Sequence, residues 1–331
     1  MKLLKLFLLL LAAVLVLGSC ASWGAVTAEE YFALGMAFFD LGRFEEAERW
    51  LNRARMRSRT MTASEYNLGR IAFETGRFED AAMYFESILR RDPNNVLALQ
   101  AAAFTRIRTG EIERASELYE RLLALVPESA DDGYNHALVL YAMERYEEAE
   151  RVLLNNAIAL LDNNDVMLLH ARIKRRLGNP EAIDTFARWL ANNAADQRVR
   201  HEFAQLLESR NHYARALEEY RTVLAALTAA SVDPSRAEVR FAVARLLLTV
   251  DPERAEGITE LTEAIEDGFN DFDIVEALLD DERISDSNRD RIRTIVADGR
   301  RAAQAEAETE RDEDDTYADE DYVYDWFNEA E

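Results

Sequence analysis

The chain has 331 residues, 49% of them apolar, with only 12 Gly and 5 Pro. That composition can bury a core, and it argues against a turn-rich all-β protein and against disorder throughout. The formal charge is −24, Lys occurs only at positions 2, 5 and 174, and the single cysteine excludes an internal disulfide; nothing in that balance suggests a phosphate-binding surface, so no nucleic-acid partner is expected.

The N-terminus begins with Lys2 and Lys5, continues as an apolar run from Leu6 to Leu17, and ends in small residues. That is signal-peptide organisation. The run has 12 residues, whereas a spanning helix wants about 20. Leu17-Gly18-Ser19-Cys20 resembles the bacterial lipobox, with Ser19 in place of the commoner Gly or Ala. The resemblance implies a signal peptide over 1–19, acyl chains such as palmitate on Cys20, and a short tether over 20–27. It also implies attachment to the periplasmic face of the bacterial envelope, with the outer membrane favoured because Ala21 rather than Asp follows the cysteine. The competing reading is ordinary cleavage nearby, for example after Ala21, which discards Cys20.

From residue 28 a 34-residue ruler takes over. Ala47, Ala81, Ala115 and Ala149 stand 34 apart, each preceded at −3 by Phe44, Phe78, Ile112 or Tyr146. Each is followed at +4 by Leu51, Phe85, Tyr119 or Leu153. Gly42, Gly76 and Gly110 mark a turn, Glu144 breaks that pattern, and Pro93 and Pro127 close two units. Small residues such as Gly69 and Ala81 let paired helices approach closely, and the large ones fill the space between units. No unit can bury its own face, so units must stack.

This pattern resembles the tetratricopeptide repeat, most closely over Tyr66 to Asn95. The resemblance implies an all-α fold, a right-handed superhelix (α-solenoid) of six to seven helix-turn-helix units with C-terminal capping helices. Four regular units cover 28–161. Degenerate units and capping helices cover 162–303: Pro180 occupies the aromatic place of a fifth unit that is one residue short, and Phe203, Ala204, Tyr213, Ala216 and Tyr220 hold the pattern of a sixth. In the family the first helix of each unit lines the concave face. Projection places Phe32, Met36 and Phe39 there from unit one, and Tyr66, Asn67, Arg70 and Phe73 from unit two. Unit three supplies Gln100, Phe104 and Ile107, and unit four Tyr134, Asn135, Leu138 and Tyr141. Arg70, Asn67 and Asn135 recur in the family's carboxylate clamp, but its Lys is missing. An aromatic groove would hold an extended or helical peptide by apolar anchors. The competing reading packs some of these residues against neighbouring repeats or a subunit.

The segment 304–331 holds 13 acidic residues and one Arg. Self-repelling charge predicts a disordered tail. Its Tyr322, Tyr324, Trp326 and Phe327 form either part of a plain solubilising tail or a short docking motif for another protein or for the chain's own groove.

No catalytic arrangement stands out. His136, His170, His201 and His212 form no HExxH motif, and no phosphate loop or CxxC is present. His136 falls on a core position of its repeat. Neither enzyme activity nor a cofactor nor a metal is expected. The reading is a membrane-anchored scaffold that recruits other envelope proteins or peptides. The alternative is a ligand-binding lipoprotein working with a transporter, which a closed pocket would favour.

Overall fold

The computed structural model describes residues 26–250 and 255–305. Among them every regular element is a helix. The order is α1 (Ala28–Asp40), α2 (Phe44–Arg57), α3 (Thr62–Glu74), α4 (Phe78–Arg91), α5 (Val96–Arg108), α6 (Ile112–Leu125), α7 (Ala130–Ala142), α8 (Tyr146–Asn156) and α9 (Asn164–Arg176). There follow α10 (Ala182–Asn192), α11 (Gln197–Ser209), α12 (Tyr213–Ala226), α13 (Arg236–Val250), α14 (Glu256–Glu266), α15 (Phe272–Ala277) and α16 (286–305). The helices divide into two compact bodies at Leu177/Gly178.

In the first body, consecutive helices pair in order, α1 with α2, α3 with α4, α5 with α6 and α7 with α8, and each pair packs on the next. The first pair begins where the chain offers a cap. Thr27 accepts from the Glu30 amide while the Glu30 carboxylate accepts from the Thr27 amide, a capping box that satisfies two orphan donors. α4 and α6 end just ahead of Pro93 and Pro127, which cannot continue a helix.

The turn inside each pair closes in one way. Gly42, Gly76 and Gly110 have φ of 70°, 76° and 79°. The amide of the next residue reaches back to a helix carbonyl, Arg43 to Phe38 O (2.9 Å) and Arg77 to Ala72 O (2.8 Å). Glu144 breaks the glycine pattern in sequence but not in shape. Its φ is 59°, and Arg145 N still reaches Leu140 O at 2.9 Å. The packing of the pair therefore dictates the left-handed residue, and glycine is only the unstrained way of supplying it.

The 34-residue ruler marks the core. Ala47, Ala81, Ala115 and Ala149 are fully buried, as are Leu51, Phe85, Tyr119 and Leu153. A Cβ on Gly35 would lie 2.7 Å from Leu51 Cγ, and one on Gly69 2.6 Å from Phe85 Cε1. The large side chain of the second helix thus sits directly on the bare backbone of the first. His136 takes a core place, stacked on Tyr119 at 6.1 Å with its Nε2 3.1 Å from Ser116 Oγ.

Polar clasps join successive repeats. Arg77 Nη2 donates to Glu48 Oε2 at 2.9 Å, and Arg106, only 15% exposed as a side chain, bridges Glu86 and Glu111. Arg91, Arg121 and Asn156, each on the second helix of a pair, donate to the carbonyls of Arg59 (3.1 Å), Pro93 (2.7 Å) and Pro127 (2.7 Å) in the loop that leads into that pair.

In the second body α11 pairs with α12 and α13 with α14. α10 starts at Ala182, after Gly178 (φ 71°) and Pro180, where the fifth repeat is a residue short. Asn211 (φ 62°) makes the turn between α11 and α12. Phe241, Leu248, Leu261, Val275 and Ile292 build one apolar cluster from α13, α14, α15 and α16, so the closing helices cap the last pair.

Candidate functional site

The residues projected onto a groove all lie in the first body, and the structure joins five of them across three repeats. On α3, Asn67 donates to the Ala63 carbonyl at 2.8 Å, which fixes its amide. Its Oδ1 then accepts from Arg70 Nη1 at 3.0 Å. So oriented, the Arg70 guanidinium lies over the Phe39 ring of the preceding repeat, 4.5 Å from its centroid. One turn further along α3, Phe73 meets Phe104 of α5 with ring centroids 5.4 Å apart. Arg70, Phe73, Ala101 and Phe104 line a cleft of about 110 Å³. Phe104 is 45% exposed and forms its open wall.

The other predicted groove residues divide. Phe32 packs against the core of the first two repeats, Tyr66 sits on Phe85 at 5.6 Å, and Ile107 packs on the core of repeats two and three. Gln100 is drawn sideways, donating to Asp132 Oδ1 of the next repeat at 2.9 Å. Met36, Tyr134 and Asn135 are half-buried, and Leu138 is exposed. Tyr141 pairs edge-on with Tyr146 at 5.3 Å. That pairing repeats: Phe39 meets Phe44 at 5.6 Å and Phe73 meets Phe78 at 5.2 Å, all with interplanar angles near 60°. The last aromatic of the first helix therefore does double duty. One edge belongs to its own pair and only the remainder faces the cleft.

Sequence reasoning missed the arginines that cover these pairs. Arg108 lies over Phe78 at 4.9 Å and Arg176 over Tyr146 at 5.6 Å. They stand at the same place in their repeats, 68 residues apart, a spacing that could have revealed them.

Burial lowers the pKa of His136 to about 4, and Arg145 adds to the shift. The imidazole is neutral, and its Nδ1 has no partner. It is a packed core histidine, as its repeat position indicates. In the second body, His201 faces an open cleft of about 580 Å³ also lined by Arg198, Glu202, Gln205, Tyr220 and Arg245. No group of three His, Cys, Asp or Glu able to hold a metal occurs among the described residues. No helix among them is long and apolar enough to cross a membrane. Cys20 and the tail residues Tyr322, Tyr324, Trp326 and Phe327 lie outside the described residues.

Comparison with known proteins points one way. Family descriptions named "Tetratricopeptide repeat" match residues 32–96, 72–135 and 131–153. A protein of Treponema pallidum (strain Nichols), named "Uncharacterized lipoprotein", is 25% identical over 157 residues, spanning 47% of this chain and 80% of its own length. The crystal structure of a tetratricopeptide repeat protein from Parabacteroides merdae superposes with a TM-score of 0.52 at 22% identity, covering 76% of this chain and 96% of its own. YrrB, a tetratricopeptide repeat protein described as having an unusual peptide-binding site, gives a TM-score of 0.47 at 20% identity over 56% of this chain and 92% of its own.

Proposed function

This chain is a tetratricopeptide repeat protein, and from that premise we propose that it is a lipid-anchored scaffold that holds a protein or peptide partner in the bacterial envelope. The repeat fold indicates protein–protein interaction, and proteins built this way are generally scaffolds rather than catalysts. The lipobox at Cys20 and the lipoprotein relative support the anchor. The signal-peptide organisation of 1–19 supports export, and Ala21 favours the outer membrane.

The observation that carries the docking site is the Phe39–Arg70–Phe73–Phe104 run. It presents an apolar wall, one guanidinium and an open aromatic edge across three stacked repeats. An extended or helical peptide with an apolar anchor and a nearby carbonyl or carboxylate matches that chemistry. A photo-crosslinking amino acid at Phe104 should trap a discrete partner in native membranes, and one at exposed Met83 on α4 should not. Equal adducts from both positions, or none from Phe104, would remove the groove as the docking site. Radiolabelled palmitate should enter the wild-type protein and not a Cys20→Ala variant. Equal labelling of the two, or none in either, would remove the anchor.

A further inference from the structure

The stretch 49–64 holds five arginines and no Asp or Glu, a local excess that the formal charge of −24 conceals. Its place in the fold gives that excess a direction. α1 and α2 are antiparallel, and Tyr31 stacks on Trp50 at 5.8 Å, so the start of α1 lies beside the end of α2. The chain therefore enters the first repeat at Thr27 next to Arg53, Arg57 and Arg59. All three are exposed, and none forms an ion pair among the described residues. Arg53 lies over Trp50 at 4.5 Å. Met56, 80% exposed, lines an open cleft of about 350 Å³ together with Arg55, Arg59, Glu65 and Arg91.

The nearby acids are mostly engaged. Glu65 is paired with Arg91, Glu46 with Arg43, and Glu30 caps Thr27; Glu29 remains exposed. Among the described residues this repeat also has an open outer face. Leu34 is 42% exposed, while its counterpart Leu68, which a preceding repeat covers, is 1% exposed.

We propose that this arginine edge rests on anionic phospholipid headgroups, with Trp50 and Met56 at the level where headgroups meet acyl chains. The proposal builds on lipidation at Cys20. Seven residues lie between Cys20 and Ala28, and the eight steps from one to the other reach at most about 28 Å. The anchor thus keeps this edge, the part of the fold next to the tether, within reach of the surface. Charge beyond the Debye length of about 8 Å is screened, so the bilayer senses the local arginines rather than the net charge of the chain. Aromatic and thioether side chains flanked by Arg suit a membrane interface. Basic residues near an anionic surface each raise partitioning roughly fivefold.

The test uses the chain from residue 20 with Cys20→Ala, so that no acyl chain contributes. It is sedimented with vesicles of phosphatidylcholine alone or with about 30% phosphatidylglycerol, at about 0.15 M salt. The anionic vesicles should bind it and the neutral ones should not. Arg53→Gln/Arg57→Gln/Arg59→Gln should lower partitioning about a hundredfold with an unchanged helical spectrum, and Met56→Ser should weaken it further. Equal binding to both vesicles, no binding to either, or no effect of the arginine variant would overturn the proposal. Binding to a single-stranded oligonucleotide as tight as to the vesicles would overturn it too, by marking an unselective anion surface. Palmitate labelling separates the two readings. A labelled wild-type protein whose unlipidated form ignores anionic vesicles keeps the anchor and loses the edge; an unlabelled one whose Cys20→Ala form binds them selectively keeps the edge and loses the anchor.

Discussion

Arg70 spans the boundary between the first two repeats by placing its guanidinium over the ring of Phe39, 4.5 Å from the centroid, while Asn67 holds its other end at 3.0 Å. Asn67 is in turn fixed by a helix carbonyl, so the cation is positioned before any partner arrives. A preorganised group loses little rotamer freedom on binding.

That arrangement makes a first prediction. A double-mutant cycle with Phe39→Leu and Arg70→Met should give a coupling of about 0.5–1 kcal/mol in urea denaturation. Additive effects would mean that the stack contributes nothing beyond proximity.

Gly69→Ala should destabilise the chain by about 1–3 kcal/mol, because the new methyl would meet the buried Phe85 ring at 2.6 Å. Adding Phe85→Leu should not recover the loss, because Leu51 at the same place in the first repeat stands just as close, 2.7 Å, to a Cβ on Gly35. Urea midpoints of the two variants check this.

The turn residues should respond in opposite directions. Glu144→Gly relieves a φ of 59° and should stabilise by about 0.5–1 kcal/mol, whereas Gly110→Ala imposes strain at φ 79° and should cost about 1 kcal/mol. Thermal midpoints moving the same way in both variants would contradict the role given to this position.

His136 predicts a pH dependence. Its pKa falls from 6.5 to about 4 in the folded chain, so the unfolded chain binds more protons between those values. Its contribution is complete above about pH 6.5 and declines as the pH falls toward 4, by up to about 3 kcal/mol. His136→Gln should flatten the stability profile across that window while leaving Ser116 a partner. An unchanged slope would assign the pH dependence elsewhere.

The repeat positions were legible in the sequence because close packing is periodic. Ala81 and Phe85 must be small and large wherever two helices meet, and the ruler reports that need. The site was legible only in part. Phe73 and Phe104 do line a cleft, but Tyr66, Gln100 and Tyr141 are claimed by Phe85, Asp132 and Tyr146. Whether a half-exposed side chain faces a groove or a neighbour depends on what stands 19, 32 or 5 residues away, which a projection of single helices does not weigh. The arginine edge escaped notice for another reason: a charge summed over the whole chain erases a local surplus.

The side chains of Arg91, Arg121 and Asn156 each fasten the loop that leads into their own helix pair. Such clasps bear on mechanics. A pull applied at Thr27 loads the first pair alone, and tearing it free leaves the clasps at Pro93 and Pro127 closed. The first body should therefore yield to tension by peeling, one pair after another, with a force trace of successive small peaks rather than a single collapse.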